Sequence, residues 1–414
     1  MTLKWFTART VRQATSMCRH VRKLLRHQRD LLAPRAIVEV EQALHDMESQ
    51  LARDADRAAL LAQMESLDKT TRKWIKPYPN AAWRENIEVL LVALAIAMGV
   101  RTFFLQPFKI PTGSMQPTLY GVTHENLLDK PDSKIPTGLQ RIKEWFQGVS
   151  YVRLVAKTDG RVEAITQPFP PAILRIFQRV KIGGKWHVIW FPPDYGAPPG
   201  GTLEARAGLT RDQVYRKGDE VIRLKVQSGD HLFVDRLTYN FRPPRRGEII
   251  VFETHGITRL PPEQQATFYI KRLVGLSGET LRLEQDYILK GAPVQTFRGV
   301  ELVDAPVGHL VVDGRHLGGS TPHFENVYSF NSPPRGAQVL EYEEDSYFGH
   351  AMIGELAPGS SFTVGTNRLF VLGDNTMNSL DGRSWGDLPK EQVIGKSFFV
   401  YWPLTKRFGV GSSY

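Results

Sequence analysis

At 414 residues, the chain is long enough for two or three structural units, and its 42% hydrophobic and 23% charged content excludes wholesale disorder. The formal net charge of +10 favours an anionic partner, either nucleic acid or anionic lipid. The single cysteine, Cys18, excludes an intramolecular disulfide and a cysteine-based metal site. A domain outside the cytoplasm would therefore be stabilised by its core alone.

Residues 1–85 have the apolar periodicity of helices. Two series recur at three- and four-residue spacing: Val11, Ala14, Cys18, Val21, Leu25 and Leu32, then Val40, Leu44, Met47 and Leu51. Pro34 lies between the two series and breaks the helix there. We therefore predict a cytoplasmic helical hairpin. Its strongly basic first arm is compatible with a solvated face or with contact to anionic cytoplasmic lipid.

The next stretch, ENIEVLLVALAIAMGVRTFFLQPF, is the most apolar of the chain. Residues 86–106 could cross the hydrocarbon core of a bilayer as a helix, and a buried core helix is the alternative. Basic residues are more frequent before the stretch (Lys69, Arg72, Lys73, Lys76 and Arg84) than directly after it (Arg101 and Lys109). This bias predicts a single-pass protein of the inner (plasma) membrane with a cytoplasmic N-terminus.

Residues 107–414 then lie on the extracytoplasmic side, which argues against nucleic acid as a partner and favours membrane lipid. From about residue 150, short runs rich in β-branched and aromatic residues alternate with turns, as in DHLFVDRLTY, GEIIVFE, FYIKRLVGL and RLFVLGD. Asp159-Gly160 is a hairpin signal between two extended segments. We therefore predict a mostly-β domain.

Several kinds of site have little support in the sequence. The GKS at 395–397 lacks the upstream glycine of a phosphate-binding loop, and no histidines have metal-ligand spacing. A metal hydrolase built on Asp230, Asp374 and Asp381 stays open as an alternative, as does a Ser-His-Asp triad without a local signature. We expect neither a metal nor an organic cofactor.

A serine and a lysine are the remaining candidates for chemistry. Ser114 lies in KIPTGSMQPTL, directly after the apolar stretch, and is either a linker residue or a nucleophile. A serine needs a neighbouring base, and lysine can serve when burial lowers its pKa. Lys271 lies in the apolar segment TFYIKRLVGLSGE, where strand alternation places it on one face with Tyr269 and Leu273. The alternative is a lysine that snorkels at a sheet edge.

A third segment, VLGDNTMNSLDGRSWGDLP, is dense in turn residues. Asp381 and Arg383 are close enough in sequence to form an ion pair. The segment is either a satisfied turn network between strands or a rigid support for a site.

Jointly, these segments resemble the type I signal peptidases, which are membrane-bound Ser-Lys endopeptidases. Four blocks occur in the family's order: PTGSMQPTL, SGDHLFVDRLTY, PRRGEIIVFE with YIKRLVGLSGE, and GDNTMNSLDGRSWG. The apolar stretch before the first block also fits. The resemblance implies coiled antiparallel β-sheets, as in signal peptidases and LexA-like proteins. An insertion at about residues 120–225 and the N-terminal hairpin lie outside it.

The resemblance implies that Ser114 is the nucleophile and Lys271 its general base. It implies that the Thr112 hydroxyl and the Ser114 N–H form the oxyanion hole, and that Ser379 orients Lys271. Asp381, Arg383 and Asp374 are expected to brace this region. Phe108, Ile110, Tyr269 and Ile270 are expected to line shallow pockets for small side chains one and three residues before the cut.

The implied function is the removal of N-terminal signal peptides from exported preproteins, with cleavage after Ala-x-Ala-type sequences. The sequence departs from the family's pattern at Ser277, Glu279, Glu248 and Gly382, where the family usually has proline, two aspartates and serine. Two alternatives stay open. One is a self-cleaving Ser-Lys protease, as in LexA-like repressors, and the other is a non-enzymatic envelope scaffold.

Overall fold

The computed structural model describes residues 9–53, 56–76, 80–130, 132–170, 175–197, 200–328, 338–343 and 349–410. The first eight residues of the predicted hairpin therefore lie outside the described residues. The chain divides into two units, Met1–Ile96 and Ala97–Tyr414.

The first unit contains three amphipathic helices. They are α1 (Arg9–Gln28), α2 (Pro34–Ala52) and α3 (Arg57–Trp74). Their apolar faces share one core that includes Ala14, Val21, Val40, Met47 and Leu67. Burial of these faces stabilises helices whose intrinsic propensity alone would be marginal.

The predicted two-arm hairpin is therefore wrong in its number of helices. Pro34 does begin α2, where its missing N–H costs nothing. A second break occurs before Arg57, because the Asp56 side chain accepts a hydrogen bond of 2.8 Å from the Ala59 N–H and caps α3. Apolar periodicity alone did not reveal this capping residue.

Helix α4 spans Ala81–Phe103. By length and composition, its segment Trp83–Phe103 could cross a membrane, and none of its apolar window is buried within the structure. The helix begins before the predicted span of 86–106 and ends three residues before the end of that span. The helix stops at Phe103 because a strand begins at Leu105 and pairs with Asp235.

The second unit is built mainly of strands. In chain order they are β1 (Leu105–Lys109), β2 (Thr123–Asn126), β3 (Val149–Val155), β4 (Gly160–Ile165), β5 (Phe177–Ile182), β6 (Lys185–Trp190), β7 (Val214–Tyr215), β8 (Glu220–Gln227), β9 (His231–Asp235), β10 (Ile249–Glu253) and β11 (Phe268–Gly275). They continue with β12 (Thr280–Thr296), β13 (Gly299–Val312), β14 (Arg315–His316), β15 (Val339–Glu341), β16 (His350–Ala351), β17 (Phe362–Thr363), β18 (Arg368–Leu372), β19 (Leu388–Pro389), β20 (Val393–Trp402) and β21 (Gly409–Val410). Short helices α5 (Gly138–Phe146), α6 (Leu203–Ala207), α7 (Glu325–Tyr328) and α8 (Gly382–Trp385) lie between them.

The strands form four sheets. The largest has the order β1-β9-β20-β10-β11-β18-β19, with β21 beside β20, and all of its pairings are antiparallel. The second is centred on the long β12-β13 hairpin, to which β15 adds in parallel. The prediction of a mostly-β fold with antiparallel sheets is confirmed.

Two smaller sheets, β2-β8-β3 and β6-β5-β4-β7, come from the region predicted as an insertion. They share a hydrophobic core of their own, which includes Val152, Val162, Val180 and Leu224. The region is therefore a folded β-rich elaboration rather than a long loop.

Candidate active site

Ser114 lies on the loop between β1 and β2, here called the serine loop (residues 110–119). Met115 and Leu119 are almost fully buried and anchor the loop in the core. On the other side, Asn375 donates from its backbone N–H to Ser114 O (3.1 Å) and from its side chain to Gly113 O (3.0 Å). The backbone on either side of the Ser114 hydroxyl is therefore fixed before any substrate binds.

Lys271 lies on β11, opposite Ile250 of β10, and is 4% exposed. Its Nζ donates to Ser114 Oγ at 2.6 Å. Burial lowers the pKa of Lys271 to about 8, although the charges of Asp381 and Asp374 act in the opposite direction. The amine is therefore both within reach of the serine proton and able to be neutral close to neutral pH.

Arg272, the next residue of β11, is 2% exposed and faces a carboxylate. Its Nε donates to Asp374 Oδ1 at 2.6 Å, and a second guanidinium nitrogen donates to Asp374 Oδ2 at 2.5 Å. Thr118 of the serine loop donates its hydroxyl to the same Oδ2 at 2.5 Å. One buried carboxylate thus joins the serine loop to the strand that carries Lys271.

A second buried ion pair lies in the turn at residues 373–383, here called the aspartate turn. The Arg383 guanidinium donates two hydrogen bonds to Asp381, of 2.9 and 2.8 Å, and both side chains are fully buried. Burial alone would raise the pKa of Asp381, but the Arg383 charge and hydrogen bonds from Arg383 and Gly373 hold it below its usual range. Asp381 therefore remains a carboxylate and fixes the turn.

The ion pair expected between Asp381 and Arg383 is present, whereas the expected hydrogen bond from Ser379 to Lys271 is not made. Ser379 is 1% exposed, and its Oγ has no hydrogen-bond partner among the described residues. A Cβ at Gly373 would lie 2.1 Å from Ser379 Oγ and 2.5 Å from Ser114 O. Both residues therefore approach Gly373 closely, and only glycine fits there.

A cavity of about 510 Å³ opens beside Ser114 and Lys271. Its other lining residues are Pro111, Thr112, Gly113, Gln116, Ala197, Glu263, Gln264, Thr267, Phe268, Tyr269, Ile270, Gln295, Asn375, Asn378 and Leu380. Thr112, Tyr269 and Ile270 thus lie at the same cavity as Ser114 and Lys271, and their roles stay predictions.

Phe108 and Ile110 do not lie among the residues that line this cavity. Ile110 is 3% exposed and packs with Met115 and Leu232, and its role in a substrate pocket stays a prediction. Phe108 packs against the same core and contacts the Phe268 ring edge-on.

Sequence reasoning missed four residues that shape the site: Arg272, Thr118, Asn375 and Ala197. Arg272 and Asn375 lie next to predicted residues, but their partners are distant in sequence. Nothing in the local pattern marks Ala197. The three aspartates of the alternative metal-hydrolase site each form an ion pair with an arginine. Asp230 pairs with Arg407 at 2.8 Å, and Asp374 and Asp381 pair with other arginines.

A family model described as "Signal peptidase, peptidase S26" matches residues 83–131 and 222–402, which is more than half of the chain. The unmatched residues 132–221 contain most of the insertion. Signal peptidase I of Leptolyngbya laminosa is 31% identical over 182 residues, which cover 44% of this chain and 64% of that protein.

A probable signal peptidase I-2 of Synechocystis sp. is 25% identical over 181 residues, covering 44% of this chain and 59% of that protein. The chain therefore spans about three-fifths of the length of these two relatives. A crystal structure of a signal peptidase I from Enterococcus faecalis V583 aligns with a TM-score of 0.23 and 21% identity, covering 37% of this chain and 97% of that one.

Proposed function

Since the chain belongs to the signal peptidase family, peptidase S26, we propose that it is a serine endopeptidase that removes signal peptides from exported preproteins. The observation that carries the proposal is the 2.6 Å hydrogen bond from the buried Lys271 amine to the Ser114 hydroxyl. These two groups form the catalytic dyad of the proposal.

The chemistry begins with neutral Lys271. Its free electron pair takes the Ser114 proton as Oγ attacks the scissile carbonyl and forms a tetrahedral intermediate. The protonated lysine then gives this proton to the leaving amine, and an acyl-enzyme remains on Ser114. Lys271 next takes a proton from water as the water oxygen attacks the ester carbonyl and forms a second tetrahedral intermediate. When this intermediate breaks its bond to Ser114 Oγ, Lys271 returns the proton to Oγ and the acid product leaves.

Two donors are available for the oxyanion. Among the described residues, no hydrogen bond uses the Ser114 N–H or the Thr112 hydroxyl. Thr112 also lines the cavity beside Ser114. Preorganised donors of this kind each stabilise the transition state by about 3 kcal/mol.

The two ion pairs act as positioning groups. Asp374 joins Arg272 to Thr118, and its neighbour Asn375 fixes the Ser114 carbonyl. Asp381 and Arg383 fix the other end of the aspartate turn, close to Ser379. We retain Ser379 as a proposed positioning residue for Lys271, which requires its hydroxyl to rotate from the orientation seen here.

Strand β11 has a backbone edge to which a peptide substrate can bind. Strand β18 pairs with β11 from Arg272 onward, so the described part of β11 before Lys271 pairs with β10 alone. An extended substrate can add along the open edge, a common mode of peptide recognition. Tyr269 and Ile270 lie on this part of β11 and line the cavity beside Ser114, and we propose that they contact the small side chains of an Ala-x-Ala sequence.

We further propose that α4 anchors the protein as a single membrane span, with the N-terminal helices cytoplasmic and the catalytic unit outside. The length and apolar composition of Trp83–Phe103 support a span. The excess of basic residues before it supports this orientation.

The test is intact-mass spectrometry of a purified preprotein with an Ala-x-Ala cleavage site, before and after incubation with the full chain in detergent. We expect a product that lacks the signal peptide with the wild type, and none with Ser114→Ala or Lys271→Met. Uncleaved preprotein with the wild type would contradict the proposal. A shortened peptidase in place of a shortened preprotein would instead indicate self-cleavage.

A further inference from the structure

Ala197, which belongs to the insertion, lines the same cavity as Ser114 and Thr112. We propose that the insertion supplies one wall of the substrate cleft and that Ala197 limits the size of a substrate side chain near the scissile bond. The inference rests on the proposed function and adds a determinant of substrate choice. The family model does not match residues 132–221, so the family's pattern does not supply this wall.

The segment that ends at Ala197 is fixed to β1, the strand that leads into the serine loop. Asp194 forms an ion pair with Lys109 of β1 and a second one with Arg175, whose nitrogen lies 2.9 Å from Asp194 Oδ1. All three side chains are largely buried, with exposed fractions of 26%, 27% and 31% for Lys109, Asp194 and Arg175. Pairs shielded to this degree are more persistent than exposed surface pairs.

The next two residues are fixed from the insertion side. Tyr195 is 3% exposed in the core of the insertion, and its carbonyl accepts a hydrogen bond of 2.8 Å from Arg206. Gly196 has φ of +105°, and a Cβ there would lie 2.9 Å from an Arg206 nitrogen and 3.5 Å from Pro111 O. The positive φ favours glycine at this position, and the contact with Pro111 O places the backbone of this segment beside the start of the serine loop.

Ala197 follows directly and is half-buried at the cavity. Its carbonyl accepts a hydrogen bond of 2.7 Å from the Gly201 N–H. Because the segment is held at Asp194, Tyr195 and Ala197, a larger side chain at 197 has little freedom to withdraw. It would project into the space that a bound peptide needs.

The first experiment measures cleavage of preproteins that carry alanine or leucine at one position, scanned from three residues before the cut to two after it. At one or more positions, Ala197→Leu is expected to lower the leucine-to-alanine ratio of kcat/KM by about 10-fold or more, the usual effect of one overfilled hydrophobic contact. The matched control is Ala205→Leu, because Ala205 is an exposed alanine of the same insertion on α6. An unchanged ratio at every position in folded Ala197→Leu would overturn the inference.

The second experiment does not depend on cleavage. In a Cys18→Ala and Ser114→Ala background, the introduced cysteine of Ala197→Cys is labelled with a maleimide, with and without a saturating synthetic peptide that spans an Ala-x-Ala site. We expect the peptide to slow labelling at 197 about fivefold or more, as for a thiol covered by a ligand, and to leave Ala205→Cys unchanged. Bound peptide without protection at 197 would overturn the inference alone. Absence of peptide binding would overturn the proposed function as well.

Discussion

The adjacent residues Lys271 and Arg272 of β11 are buried to the same degree, yet they lie in opposite electrostatic environments. Arg272 faces a carboxylate at hydrogen-bond distance on two of its nitrogens. Lys271 donates to a neutral serine hydroxyl, and the nearby aspartates that could pair with it are bound to arginines. A paired cation braces the structure, whereas a buried cation without a carboxylate contact gives up its proton easily.

The largest expected effect comes from removing either member of the dyad. Ser114→Ala and Lys271→Met should each lower kcat/KM for a preprotein by at least about 10⁴-fold, because nucleophile and base act as one unit. The double variant should be no worse than the single variants. Circular dichroism checks that each variant is folded. A Lys271→Met enzyme that retains one-tenth of the activity would exclude lysine as the base.

Removing the carboxylate that pairs with Arg272 should lower the free energy of unfolding. Asp374→Leu leaves Arg272 buried without its carboxylate, so we expect a loss of about 3 to 5 kcal/mol in the free energy of unfolding. The double variant Arg272→Met/Asp374→Leu should recover much of this loss, because no unpaired charge remains. Thermal unfolding of the full chain in detergent measures both.

The matched control for this ion pair is Asp68→Asn, which breaks an exposed pair with Arg72 on α3. Its effect should be below about 1 kcal/mol. If Asp374→Leu costs no more than Asp68→Asn, the buried pair does not brace the site.

A smaller effect concerns the stability of the wild type against pH. The pKa of Lys271 is about 8 in the folded protein and 10.5 as its reference value. Between pH 8 and pH 10.5, Lys271 is mostly protonated in the unfolded chain and mostly neutral in the folded protein. The free energy of unfolding should therefore increase as pH rises from 8 to 10.5, by up to about 3 kcal/mol. Lys271→Met should lack this component. Urea denaturation of both proteins at pH 8 and pH 10 measures the difference, and parallel changes would contradict the lowered pKa.

The smallest expected effect is the change in the free energy of unfolding that Ser379→Ala causes. Because Ser379 Oγ makes no hydrogen bond with the described residues, we expect a change below about 1 kcal/mol. Activity is measured on the same samples. Loss of activity at unchanged stability would support the proposed role of Ser379 in positioning Lys271, whereas a large loss of stability would show that its hydroxyl is bonded in solution.

The sequence was informative where a feature depends on neighbours in the chain. The apolar series in α1 and α2, the β-type run around Lys271 and the short-range pair of Asp381 and Arg383 all follow from local spacing. The four ordered blocks also brought Ser114 and Lys271 into one hypothesis, although 157 residues separate them. Each local pattern reflects contacts between residues that are close in sequence, so it can be recognised without a structure.

Features that depend on distant partners were not readable. Asp374, whose carboxylate pairs with Arg272, lies 102 residues away in the sequence. The side chains that cover Ile110 come from the serine loop and β9. The capping role of Asp56 was local but required attention to helix starts rather than to periodicity. Ala197 lies at the cavity because ion pairs of Asp194 with Lys109 and Arg175 hold the preceding segment, and no spacing rule predicts these pairs.

The pH dependence of kcat/KM for preprotein cleavage tests the central claim most directly. Neutral Lys271 is the active form, so below pH 8 the rate should rise about tenfold per pH unit and then level off with a midpoint close to the pKa of about 8. Lysine without the effect of burial would give a midpoint near its reference value of 10.5. A midpoint there, or a rate that does not change between pH 6 and pH 8, would contradict catalysis by a buried, neutral Lys271.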